Sequence, residues 1–270
     1  MLISQTLAPL PLSRRRALAL CAAASASVLM PVGANAARAP SSGKLRTRAI
    51  PHGGEELPVI GLGTAIVFDV GASPQRRMGC TEVVRSLVGG GGSLIDTAPS
   101  YGQAEGVVGA ILTDTGLRNR VFLATKIERY GAADVAAELH GSLQRLHTDQ
   151  VDLLQLHNVR DPAQRLDAVR ALKRQGLCRY IGITTTRRDD HAAAEAILKR
   201  EQPDFIEIDY AIDNRDAESR VIPAAAAAVT AVIPGTDKSV HMTGNLGACR
   251  GRLPDAAMRA RMVRLVESFS

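Results

Sequence analysis

From about Glu56 onward, short apolar runs bounded by turn residues alternate with longer stretches of helical period. The runs predict strands at Val59 to Gly63, Ser93 to Asp96, Val121 to Thr125, Val151 to Leu156, Tyr180 to Ile183, Phe205 to Ile208 and Val232 to Pro234. Helices are predicted between them. The clearest is Gly131 to Leu146, where Val135, Leu139, Leu143 and Leu146 recur at three- and four-residue steps. Others fit Thr81 to Val88, Gly106 to Thr113, Ala163 to Gln175, Asp189 to Arg200 and Ser219 to Ala228. Strands alternating with helices imply a parallel sheet, because parallel neighbours need a crossover element.

The repeat length selects the kind of sheet. Gly63, Asp96, Lys126, His157 and Thr184 stand at successive strand ends, 33, 30, 31 and 27 residues apart. A (β/α)₈ barrel of ~250 residues has ~31 per unit. A doubly wound sheet would instead feed its first strand into a three-glycine phosphate turn, and Gly61-Leu62-Gly63-Thr64 lacks the third glycine. The expected fold is therefore a TIM (β/α)₈-type barrel. Only seven strands are identifiable, since the polar, helix-like stretch Asp255 to Phe269 offers no eighth, so the barrel is expected to be incomplete.

In such barrels reactive groups gather where the strands end. Taken singly, Asp96, Tyr101, Lys126 and His157 have ordinary explanations: a turn aspartate, a core tyrosine, a surface lysine and a satisfied histidine. Placed after consecutive strands at one face, they should converge. Such a set suits proton donation to a carbonyl oxygen while hydride arrives at the carbon. Tyr101 would donate, and a nearby Lys126 cation should lower its pKa from the ordinary ~10. Asp96 would hold that lysine. His157 would orient the carbonyl and stabilise charge on its oxygen. No side chain supplies hydride, so a nicotinamide cofactor is implied.

The segments Asp96-Thr97-Ala98-Pro99-Ser100-Tyr101-Gly102, Ala124-Thr125-Lys126, Leu153-Leu154-Gln155-Leu156-His157 and Ile233-Pro234-Gly235-Thr236 stand in the order and spacing of the aldo-keto reductases, which residues 56 to 268 resemble. The resemblance implies that Asp96, Tyr101, Lys126 and His157 are a catalytic tetrad, that the cofactor is NADP and that the substrate is a small-molecule aldehyde or ketone. Gly63 and Thr64 would lie beside the nicotinamide. Thr184 and Thr185 stand where the family more usually has Ser-Asn holding the carboxamide, and Glu207 where many members have Gln. Gly235, Thr236, Lys238 and Asn245 resemble the stretch that meets the adenosine end. By the same resemblance Ile233-Pro234-Gly235 belongs to the eighth strand, so a strand-helix unit is expected to be missing near Pro223 to Ala228. The alternative reading is a catalytically impaired binding or scaffold protein.

Residues 1–36 read as a leader. Ser13-Arg14-Arg15-Arg16-Ala17-Leu18 resembles a twin-arginine motif and precedes an apolar stretch, Ala17 to Val32, and the small-residue site Ala34-Asn35-Ala36. Cleavage after Ala36 and export, for instance to a periplasm, are expected. The stretch is shorter than the ~20 residues of a membrane span, so no stable anchor is expected. Leu20 before Cys21 is too large for a lipid-attachment site. Residues 37–55 then read as a lead-in to the barrel domain, 56–270. Of the net charge of +6, three units belong to the leader arginines, and with no Trp and 3% aromatics nucleic acid is not an expected partner. Cys80, Cys178 and Cys249 are too scattered for a disulfide framework or a metal site and are expected to be buried thiols.

Overall fold

The computed structural model describes residues 43–51, 53–128, 135–158, 163–211, 214–225 and 231–269. The predicted leader lies outside these residues. Two compact units are present, and Pro40–Pro254 form the larger.

That unit opens with an antiparallel hairpin, β1 (Thr47–Ala49) with β2 (Glu56–Pro58). The lead-in expected over 37–55 therefore includes structured chain. These strands are three residues long, too short to show a period. Ile50 and Leu57 of the hairpin are buried against Leu94, Phe122, Leu153, Tyr180 and Phe205, so the hairpin fills the lower interior.

Six parallel strands follow in the order β3 (Gly61–Gly63), β4 (Leu94–Asp96), β5 (Phe122–Ile127), β6 (Val151–Leu156), β7 (Cys178–Thr185) and β8 (Phe205–Ile208). Each neighbours the next in sequence, joined to it by a crossover connection as parallel pairing needs. The expected seventh strand is present as parallel bridges on the outer side of β3, Ile60 with Val232 and Gly63 with Gly235. Pro234 lacks an N–H and interrupts regular pairing, yet its carbonyl accepts from Gly63 N–H at 3.2 Å. Among the described residues no strand pairs with the outer edge of β8, and the barrel is incomplete.

Side chains alternate across the sheet with period two. Leu94, Phe122, Ala124, Leu153, Tyr180 and Phe205 point inward, whereas Ile95, Leu123, Leu154 and Ile181 pack outward against the helices. The helices are α1 (Pro74–Gly89), α2 (Ala104–Thr115), α3 (Val135–Arg145), α4 (Ala163–Arg174), α5 (His191–Glu201), the short α6 (Val221–Ala224) and α7 (Ser239–Ala248). Helix α1 begins seven residues before the predicted start. Ser73 caps it, its hydroxyl accepting Arg76 N–H, and Pro74 takes the first turn. Arginines 76 and 77 hid this turn from the apolar pattern. The helix expected over 219–228 is described only as α6, and of the stretch Pro223 to Ala228, near which the missing unit was placed, residues 226–228 lie outside the described residues.

The second unit contains α8 (Ala256–Glu267), whose first turn is capped by the Asp255 carboxylate accepting Met258 N–H at 2.9 Å. No helix among the described residues is long and apolar enough to cross a membrane. Cys80 and Cys178 are buried thiols and Cys249 is half-buried; all three are free.

Candidate active site

At the C-terminal ends of the strands the inward positions turn from apolar to charged. The alternation that buries Leu94, Ala124, Leu153 and Phe205 carries on to Asp96, Lys126, Gln155 and Glu207. Lys126 has no exposed surface. Its Nζ donates to Asp96 Oδ2 and to the Thr97 carbonyl at 3.1 Å, and lies 3.4 Å from Glu207 Oε2. Gln155 Nε2 donates to Asp96 Oδ1 and to Glu207 Oε2, both at 3.1 Å, tying the two carboxylates together. Gly182 makes this bridge possible. A Cβ there would lie 3.1 Å from Phe205 and 3.2 Å from Gln155 Cγ, closing the space Gln155 crosses.

Tyr101 and His157 border this layer. Lys126 Nζ lies 4.9 Å from the centre of the Tyr101 ring, and the His157 ring meets that ring edge-on at 6.0 Å. The Tyr101 turn depends on Gly102, which has φ +60° and faces the Asp69 carboxylate, 2.5 Å from where a Cβ would stand. Asp69 also accepts Gln103 N–H at 3.1 Å. His157 is held on its far side by Glu128, 3.1 Å from Nδ1, and the same carboxylate accepts Ser100 N–H at 3.2 Å. The next residue, Asn158, adopts φ +49°, which asparagine tolerates better than most residues. Its N–H donates to Thr184 Oγ1 and its Oδ1 accepts from Thr186 N–H, locking the ends of β6 and β7 together.

The electrostatics follow from burial and from two carboxylates sharing one ammonium. Burial and the Glu207 charge push Asp96 up to about 7 against the pull of Lys126. Burial opposes charge on Lys126, but Asp96 and Glu207 outweigh it and hold the ammonium above the usual lysine range. Tyr101 is raised, first by burial and then by the two carboxylates, with Lys126 pulling the other way. This corrects the expectation that Lys126 would lower the phenol. The lysine acts in the predicted direction and is outweighed. Glu128 is lowered despite its burial, because His157 and Ser100 hydrogen-bond to it.

The other predicted positions divide into groups. Thr64 is buried, and its hydroxyl donates to the Asp96 carbonyl at 2.9 Å, next to Gly63. Two residues on, Ile66 adopts φ +64° with 85% of its surface exposed, a strained conformation for a β-branched residue. Thr184 and Thr185 are buried at the end of β7, the latter bonded to the Arg187 backbone. Glu207, expected among the cofactor-binding residues, lies 3.4 Å from Lys126 Nζ and accepts from Gln155 Nε2. Gly235 and the buried Thr236 lead into α7, which carries the half-buried Asn245. Lys238 stands at the N-terminal boundary of that helix without capping it, is exposed, and enters no ion pair among the described residues; its N–H donates to Thr236 Oγ1 at 3.1 Å.

Sequence reasoning missed Gln155 and Glu128. Gln155 is a polar residue at an inward position of its strand, following the inward apolar Leu153, and Glu128 stands two residues beyond Lys126. The period-two pattern could have found both. A separate cleft of about 500 Å³ lies at the opposite strand ends. There Arg179 binds Asp152 at 2.6 Å and Arg118 binds the Gln150 carbonyl at 2.7 Å, so the cleft is a structural seam. No metal-binding cluster is present among the described residues.

The sequence model described as the aldo/keto reductase family matches residues 59–228. This chain belongs to that family. Aldo-keto reductase YhdN of Bacillus subtilis is 31% identical over 195 residues, 66% of this chain and 57% of YhdN. Methylglyoxal reductase YeaE of Escherichia coli is 39% identical over 109 residues, 39% of this chain and 37% of YeaE. The chain thus spans less than two thirds of these curated relatives. An aldo-keto reductase from Klebsiella pneumoniae, solved in complex with NADPH, shares the fold. Its TM-score is 0.70 at 23% identity, with 82% of this chain and 95% of that one covered.

Proposed function

We propose that this chain reduces aldehyde or ketone carbonyls with NADPH, with Tyr101 as the proton donor. The observation that carries this reading is the convergence of Asp96, Tyr101, Lys126 and His157 at one end of the sheet, with Lys126 Nζ 4.9 Å from the Tyr101 ring. Bound NADPH supplies the hydride. Tyr101 passes its hydroxyl proton to the carbonyl oxygen, and Lys126 steadies the phenolate left behind. His157 sits against the same ring and orients the substrate oxygen. A carbonyl substrate is in keeping with the methylglyoxal reductase among the relatives, and NADP with the complex of the Klebsiella protein.

The residues fit the phosphate-bearing end of such a cofactor. Lys238 is an exposed cation without an ion-pair partner among the described residues, at the head of a ten-residue helix whose first N–H groups favour anions. Gly235, Thr236 and Asn245 are the neighbouring residues that the family pattern assigns to this end of the cofactor. At the other end the hold is thinner. Thr184 Oγ1 already accepts Asn158 N–H, Thr185 Oγ1 is bonded to the Arg187 backbone, the buried Thr64 hydroxyl donates to the Asp96 carbonyl, and Glu207 is engaged by Lys126.

That thinness, with the outer edge of β8 unpaired among the described residues, favours a second reading: an impaired aldo-keto reductase that binds NADPH and turns over slowly, having lost a strand-helix unit near Pro223 to Ala228. Hydride transfer needs the reacting atoms ~3 to 3.5 Å apart, so a loose ring costs rate more than affinity. Two measurements separate the readings: binding, by calorimetry or NADPH fluorescence, and NADPH oxidation with small aldehydes. Tight binding with fast turnover supports the first, tight binding with slow turnover the second, and no binding rejects both. Grafting the unit from a complete relative between Ala228 and Val229 should restore turnover in the second case.

Export by the twin-arginine route, with the mature chain starting at Ala37, is part of the same proposal, because that route carries folded, cofactor-loaded proteins. Replacing Arg14 and Arg15 together with lysine should hold the precursor in the cytoplasm. Unchanged export would remove the route from consideration.

A further inference from the structure

The Lys126 ammonium serves two carboxylates, and the second lies on the edge strand. We propose that Glu207 is a positioning residue that sets the acidity of Tyr101 by sharing Lys126 with Asp96. The inference uses the reading of Tyr101 as proton donor only for its catalytic meaning.

An unopposed ammonium beside a phenol favours phenolate and strengthens the acid. Here Lys126 is fully buried, and its charge is met on one side by Asp96 and on another by Glu207 Oε2 at 3.4 Å. Gln155 holds both carboxylates in place at 3.1 Å each. Above about pH 7, where Asp96 is ionised, two carboxylates around one ammonium leave the cluster net negative, and around the buried Lys126 such a charge is only weakly screened. Among the described residues, three other titratable groups stand around the phenol, and one of them, Asp69, faces the adjoining Gly102 and accepts Gln103 N–H at 3.1 Å. Strand β6 leads to His157, edge-on at 6.0 Å, and β5 to Glu128 on that ring's far nitrogen. The β3 and β7 ends present threonines at 64 and 184. The raised Tyr101 therefore has its counterweight in Glu207 as well as in burial and Asp96. Glu207 is also the most solvent-accessible of the three, with 28% of its side chain exposed against 4% for Asp96 and none for Lys126.

The chain has four tyrosines and no tryptophan, so the ultraviolet band of tyrosinate can be titrated without indole overlap. Tyr101 is the transition lost in Tyr101→Phe. In Glu207→Gln, which keeps the shape and removes the charge, the ionisation constant of Tyr101 should rise about tenfold, while Tyr180 and Tyr210 stay in place. Glu207→Asp keeps the charge and should move Tyr101 less than Gln does. The titration needs neither cofactor nor substrate. A shifted phenol in a protein that never oxidises NADPH would sink the reductase reading and leave this inference standing, whereas an active enzyme with an unmoved phenol would do the reverse. The inference is overturned by an unchanged Tyr101 transition in Glu207→Gln whose thermal melt matches wild type, by equal shifts in the Asp and Gln variants, or by a shift common to all tyrosines.

Discussion

Tyr101→Phe is expected to slow carbonyl reduction by roughly 10² to 10⁴ while NADPH affinity stays close to that of wild type, because general acid catalysis carries a factor of that size. The substitution removes one hydroxyl. The ring that meets His157 edge-on at 6.0 Å and lies 4.9 Å from Lys126 Nζ remains. So does the turn around it, which rests on backbone bonds: Tyr101 N–H to the Ala98 carbonyl and Ala104 N–H to the Tyr101 carbonyl, both at 3.1 Å. The loss should therefore appear in kcat, with KM little changed, the pattern for an interaction made only in the transition state. Steady-state kinetics on a small aldehyde, paired with calorimetry of NADPH binding, read both quantities. A Phe variant as fast as wild type would remove Tyr101 from the chemistry and leave His157 as the remaining donor.

Most of this site was legible in the sequence because parallel strands place chemistry by rule. Asp96, Lys126 and His157 could be assigned to one face from the ~30-residue repeat alone, since reactive groups in such folds gather at the strand ends. The hairpin of Thr47–Ala49 and Glu56–Pro58 could not, because three-residue strands carry too few positions to show alternation. The start of α1 was hidden by charged residues on its exposed first turn, although Ser73 followed by Pro74 was a usable capping signal. The larger omission concerned charge balance. Sequence order put a lysine near a tyrosine and suggested a lowered phenol, but the sign of the shift depends on what else reaches the lysine. Glu207 is 81 residues from Lys126 in the chain, and only the alternation along β8 turns it into the same layer.

Lys126→Met should cost about 3 to 5 kcal/mol of stability near neutral pH, as removal of one partner from a buried ion pair does, and should abolish turnover. Methionine matches the lysine stem in length, so packing is largely kept and the loss comes from two carboxylates left facing each other without a cation. The pH dependence identifies this cause. In wild type the Asp96 carboxyl is raised to about 7, whereas in an unfolded chain it titrates near ~3.9. Between those values the folded state holds a proton that the unfolded state releases. The Asp96 contribution is therefore fully present below about pH 4 and is lost as pH rises through about 7. Lys126 is the principal group pulling Asp96 down, so its removal raises the carboxyl further and steepens that loss. Urea unfolding of wild type and Lys126→Met should show a stability gap at pH 8 wider than at pH 5 by up to about 1.4 kcal/mol, because the Asp96 carboxyls of the two proteins differ in protonation only above about pH 7 and groups common to both proteins cancel. Adding Asp96→Asn to the Met variant should recover much of the stability at pH 8. A gap that stays constant with pH would mean that the lost stability comes from packing around the stem, and that Asp96 and Glu207 do not compete for one ammonium.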